Sequence, residues 1–135
     1  MGYCMHMRDK VFEISKENKI AALQAVQVLA GKETITDASG AHFSWVNTNE
    51  FVKATSLKEA MKAWRWEIYE DEEGNVIDID FYGEKLGDDE ILLSAIAPFV
   101  KDGSFIEMMG EDDGHWRWCF ENKKVVEKDA QITWS

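Results

Sequence analysis

The run SFIEMMGEDDGHWRWCF, Ser104 to Phe120, decides the fold. Two alternating segments flank GEDDG, a cluster of turn formers, so the stretch reads as an antiparallel hairpin. If Met109 pairs with His115, then Met108 meets Trp116 and Ile106 meets Trp118 on one face. Glu107 meets Arg117 on the other, and each face is chemically uniform under that one register.

The second arm of this hairpin has an echo: DGHWRW at Asp113 to Trp118 repeats the His-aromatic-x-Trp of GAHFSW at Gly40 to Trp45. Strand parity puts Trp116, Trp118 and Phe120 on one face and His115, Arg117 and Cys119 on the other; Phe43 and Trp45 likewise oppose His42 and Ser44. The histidine and the tryptophan point apart. The aromatics therefore read as core, and truncating a buried Trp should cost about 3–5 kcal/mol. An internal duplication would also leave such an echo.

A further hairpin precedes it. WRWEIYE and NVIDIDFY alternate on either side of EDEEGN. With Asp71 to Gly74 as the loop, Trp64 faces Phe81, Trp66 faces Ile79 and Ile68 faces Ile77 inside. Outside, Arg65 lies opposite Asp80 and Glu67 opposite Asp78. The outward face then carries Arg65, Glu67, Tyr69, Asp78, Asp80 and Tyr82, continued by Glu107, His115 and Arg117. Like charges at Glu67 and Asp78 are unfavourable side by side, and point to a cationic partner, a metal or another register.

The remaining elements follow from local signals. Tyr3 to Ile14 reads as a strand, interrupted at Arg8, Asp9 and Lys10, where a bend or bulge is expected. Ser15 caps a helix with Ile20, Leu23, Val26 or Gln27, Val28 and Leu29 as its apolar stripe, stopped at Gly31. AHFSWVN is a short strand. Ser56 and Glu59 have capping-box spacing and open a helix that turns Leu57, Ala60 and Met61 inward. Asp88 or Asp89 caps a third helix with Ile91, Leu92, Ala95, Ile96 and Phe99 buried, ended by Pro98 and Gly103. ENKK leads to last strands in VVEK and QITW. The order implies a single α+β domain over residues 1–135: a mostly antiparallel, hairpin-rich sheet of about five to seven strands, with about three helices on one face.

Composition narrows the function. The chain has 135 residues, 45% hydrophobic and 30% charged, and a net charge of -11. That suits one globular domain burying about 68% of its unfolded surface. A pI of 4.6 without a basic patch argues against nucleic acid as a direct partner. No leader, lipidation motif or membrane-length apolar run is evident, so a cytoplasmic protein is expected. Cys4 and Cys119 read as reduced thiols.

Specific chemistry is sparse. Cys4, His6, His42, His115 and Cys119 lack the close spacing of a zinc site, and no metal or other cofactor is expected. EDEEG, GDDE and GEDD do not match a calcium loop. No phosphate loop, nucleophile elbow or zinc-protease motif occurs, so no catalytic residue is assigned.

No family's motifs match residue by residue. In size, acidity and compact α+β pattern, the chain resembles the inhibitor and immunity proteins of phages and bacterial mobile elements, a likeness of composition that assigns no residue a role. The expectation is a non-enzymatic protein-binding module of inhibitor, immunity or adaptor type engaging a basic protein surface. Its contact residues are Asp71, Glu72 and Glu73 at one tip and Glu111, Asp112 and Asp113 at the other, with Glu67, Asp78, Asp80, His115 and Arg117 on the sheet. The alternative is a small enzyme or ligand binder using His115, Arg117 and the Asp78/Asp80 pair. Homodimer formation through an edge strand, Tyr3 to Met7 or Gln131 to Trp134, is a third route.

Overall fold

The computed structural model describes residues 3–29, 53–83, 85–86, 89–111 and 114–129. Strand β1 (Tyr3–Val11) leads through a short 3₁₀ turn to helix α1 (Lys19–Val28). Helix α2 (Leu57–Ala63) is followed by the hairpin of β2 (Trp66–Glu70) and β3 (Val76–Phe81) and by the two-residue β4 (Lys85–Leu86). Helix α3 (Asp89–Ile96) precedes the meander of β5 (Phe105–Gly110), β6 (His115–Glu121) and β7 (Lys124–Asp129). Five strands form an antiparallel sheet in the order β4-β1-β5-β6-β7, and β2 and β3 form a sheet of their own. The molecule is thus an α+β fold with antiparallel sheets. Among the described residues no helix is long and apolar enough to cross a membrane.

The deciding hairpin has the expected register. Met109 lies opposite His115, Met108 opposite Trp116, Glu107 opposite Arg117 and Ile106 opposite Trp118. The next connection, from β6 to β7, is a two-residue loop in which Asn122 (φ 52°) and Lys123 (φ 65°) both adopt left-handed backbone, the twist that suits a tight hairpin. The polar interruption in β1 is a bulge. Met7 opposes Met108 and Asp9 opposes Glu107, leaving Arg8 as the extra residue.

The earlier hairpin departs from its expected register by two residues. Trp66 pairs with Phe81, Glu67 with Asp80, Ile68 with Ile79 and Tyr69 with Asp78. Two features cause the shift. Trp64 caps the end of α2 and Arg65 is left-handed (φ 73°), so the strand begins only at Trp66. At the other end a bulge pairs Glu70 with Val76 and throws Ile77 outward, where it is 49% exposed instead of facing Ile68. The loop is closed by Asp71, whose carboxylate accepts from the backbone N–H of Glu73 and Asn75, both at 2.9 Å.

The three α-helices among the described residues pack on the inner face. Ala22, Val26 and Leu29 of the first helix segment, Leu57, Ala60 and Met61 of α2, and Leu92, Leu93 and Ile96 of α3 join Trp66, Ile79, Ile106, Met108, Trp118 and Phe120 in one core. Trp66 meets Trp118 edge-on at 6.2 Å, so the two sheets share that core. The buried side of α1 is not the expected one: Ile20 and Val28 are 71% and 63% exposed, and the small Ala22 is the residue that lets the helix approach. In α3, Leu93 takes the inward place expected of Ile91, which is exposed. Ser56 caps α2 as expected, its Oγ accepting from Glu59 N–H at 3.2 Å, while the Glu59 carboxylate reaches one residue further back and accepts from Thr55 N–H at 3.0 Å.

Tyr3 to Met7 is no free edge, because β4 pairs with Tyr3 and Cys4 while β5 pairs with Met5 to Met7. The strand expected at 131–134, the Gly40 to Trp45 echo with His42 and the tip residues Asp112 and Asp113 lie outside the described residues. Strand β7 closes the far side of the sheet and is guarded along its length by Lys124, Glu127, Lys128 and Asp129.

Candidate functional site

The face expected to be continuous is divided in two, because β2 and β3 form a separate sheet. Glu67, Asp78 and Asp80 belong to the hairpin, and Glu107, His115 and Arg117 to the five-stranded sheet. The joint site of His115 and Arg117 with Asp78 and Asp80 is therefore split between two sheets. Arg65 leaves the face altogether: its left-handed backbone turns the guanidinium onto Asp89, 3.2 Å away and almost fully buried. Asp89 also accepts from the Trp66 indole N–H at 2.9 Å, and Arg65 lies over the Phe81 ring. This buried group fastens the base of the hairpin to the start of α3. It is structural, and local sequence gave no signal for it beyond an expected helix cap.

On the hairpin, seven of the residues from 67 to 80 are Asp or Glu and none is Lys or Arg. Like charges do meet, at Glu67 opposite Asp80. The cation they need comes from β1: Lys10 Nζ lies 3.0 Å from Asp80 and 3.7 Å from Asp78. The hydrogen bond to Asp80 holds the Lys10 pKa above its ordinary value, opposed by partial burial and aided by the charge of Asp78. Lys19 meets Glu70 at 2.7 Å. Tyr69, its own pKa raised chiefly by a hydrogen bond to Asp80, stands beside these carboxylates, and Tyr82 and Ile77 add exposed apolar surface.

Glu111, the described residue of the second tip, lies far from the first tip. It donates its backbone N–H to Cys4 O and accepts from the Cys4 N–H with its carboxylate at the start of β1, whereas Val76, beside the other tip, bridges Ile14 beyond its end. Ten residues of extended chain separate those points, about 30 Å. Glu72 and Glu73 are exposed, but Asp71 is engaged in the turn, and its hydrogen bonds from Asn75 and then Glu73 and Gly74 hold its carboxyl below the usual range. Beside this tip a groove of about 770 Å³ opens between Asp71 and Asn75, Pro98 to Asp102, and the turn at Asn122 and Lys123.

On the open face of the larger sheet the pairing of Glu107 with Arg117 is the centre of a wider group. Glu107 is buried to 7% exposure and receives Arg117 Nε at 2.6 Å, His115 Nε2 at 3.0 Å and Arg8 Nε at 3.3 Å. The His115 hydrogen bond, and then that of Arg117, hold the Glu107 carboxyl below its ordinary range against the opposing effect of burial. Arg8 was legible only as part of a strand interruption. Its partner lies about a hundred residues away in sequence, across the pairing of β1 with β5.

Among the described residues no three His, Cys, Asp or Glu side chains cluster as a metal site. Comparison with protein-family models, curated proteins and solved structures gave no significant match.

Proposed function

We propose that this protein is a non-enzymatic binding module that engages a basic protein surface through the β2 and β3 hairpin. The observation that carries the reading is that seven of the fourteen residues between 67 and 80 are acidic and none is basic, all folded into one ribbon. Six of the eleven expected contact residues, Glu67, Asp71, Glu72, Glu73, Asp78 and Asp80, lie on it. Only Lys10 and Lys19 reach these carboxylates among the described ion pairs, so the hairpin keeps a negative field. Tyr69, Ile77 and Tyr82 supply the apolar and aromatic contacts that make such an encounter specific. The field steers the partner, and the exposed rings and Ile77 slow its departure.

The test is capture from a lysate of the source organism with wild-type protein, a Glu72→Lys/Glu73→Lys variant and a Glu90→Lys/Glu127→Lys control. Asp71 is left intact because it closes the turn. A basic protein retained by wild type and control but lost by the hairpin variant supports the reading. Equal retention by all three refutes it.

A further inference from the structure

The open face of the five-stranded sheet holds a second and independent group. We propose that Arg8 and Arg117 form a binding site for a phosphate group, as the free ion or as the monoester of a small solute. The inference rests on how the two side chains are held. They reach Glu107 from β1 and β6, the strands on either side of β5; Arg117 donates its Nε–H to that carboxylate and Arg8 forms an ion pair with it, Nε at 3.3 Å. Arg117 also has its Cζ 4.4 Å from the centre of the Phe105 ring. The Nε and one face of its guanidinium are thereby occupied, while the side chain as a whole keeps 48% of its surface exposed. Arg8 Nη1 has only the Met109 sulfur, a weak acceptor at 3.4 Å that an oxyanion would displace. Among the described residues, no other acceptor is assigned to the Nη groups of either arginine.

Two guanidinium groups converge on one carboxylate, within a molecule whose net charge is -11, and the carboxylate of Asp9, opposite Glu107 in register, is turned to the backbone N–H of Lys10 at 2.9 Å. Both arginine side chains remain accessible, at 57% and 48%, while the Glu107 side chain beneath them is at 10%. A buried anion bound by two accessible guanidinium groups is a preorganised arrangement: the side-chain freedom that ligand binding would otherwise remove is already restricted by folding. One planar carboxylate is satisfied by a single guanidinium fork. Two forks arriving from opposite sides of β5 match an acceptor with oxygens in several directions, a tetrahedral phosphate. The neighbouring Lys128 is opposite Arg117 in register but is paired with Glu121, and does not belong to the site.

The site can be tested by NMR on the whole chain, following the Nε–Hε signals of Arg8 and Arg117 during titration at constant ionic strength. Inorganic phosphate, phosphoserine and succinate are the probes. The expected result is saturable movement of both signals with inorganic phosphate, phosphoserine or both, and a weaker response to succinate. Binding of inorganic phosphate alone assigns the free ion, and binding of phosphoserine alone assigns a monoester. Arg8→Gln or Arg117→Gln should weaken binding about tenfold, the loss of one charge-assisted contact, while Lys128→Gln changes it less than about twofold. Arg117→Lys keeps the charge and loses the fork, and should also bind weakly; it replaces Arg117→Gln if that variant fails to fold. No saturation by about 10 mM with either phosphate probe overturns the proposal. So does succinate binding as tightly as phosphate, or an equal loss in Lys128→Gln, which would indicate a diffuse field.

Discussion

Removing the Asp89 side chain should destabilise the protein more than any surface charge change. Asp89 is 1% exposed, accepts from the Trp66 indole at 2.9 Å and neutralises Arg65, whose own side chain is 14% exposed. In Asp89→Ala a nearly buried cation and a buried indole N–H lose this partner together, at a cost of about 3–5 kcal/mol. For a domain of this length that corresponds to about 10–20 °C in Tm. Asp89→Asn retains an acceptor for the indole and should recover about 1 kcal/mol of the loss. Urea unfolding, followed by tryptophan fluorescence and by far-ultraviolet circular dichroism, measures both variants. A cost below about 1 kcal/mol for Asp89→Ala would refute the reasoning, and identical costs for the two variants would remove the indole bond from it.

Three further outcomes are expected. Glu107, with its pKa lowered in the fold, contributes stability at neutral pH that is lost as pH falls through the folded value; the stability gap between wild type and Glu107→Gln should therefore narrow from pH 7 toward pH 3 in denaturant titrations. Lys10, with its pKa raised, acts in the opposite sense: its contribution is present below its ordinary value of 10.5 and is lost as pH rises through the folded value. Lys10→Met should cost about 0.5–1 kcal/mol at pH 7, since the pair is partly exposed, and less at strongly alkaline pH. Gly74→Ala and Gly103→Ala, both at φ 92° and with no contact closer than 3.4 Å for the added methyl, should each cost about 1 kcal/mol by calorimetry, a backbone cost without a clash.

The legible parts of this fold are those in which one local pattern has one consistent solution. In Ser104 to Phe120 two uninterrupted alternations fix each other, and every pair of that hairpin follows. Between Trp64 and Tyr82 the alternation is equally clear, but Arg65 and Ile77 are each displaced from strand geometry, so parity survives while the pairing moves by two. The first helix misleads because its largest apolar residues are not its buried ones; Ala22 is inside and Ile20 is outside. At the charge clusters, Glu107, His115 and Arg117 could be grouped from adjacent strands, whereas Arg8 and Lys10 meet partners fixed only by tertiary pairing.

The bulge at Arg8 has a consequence for how this chain tolerates change. In a regular strand residues 8 and 10 share a side, and their two cations would compete for one set of carboxylates. The extra residue puts β1 out of phase with itself, so that Arg8 reaches Glu107 while Lys10 reaches Asp78 and Asp80. What separates the clusters is thus the count of residues in the strand as well as their identity. Substituting either cation would disable one cluster. Excising a single residue between Met7 and Lys10 would rephase the strand and scramble both.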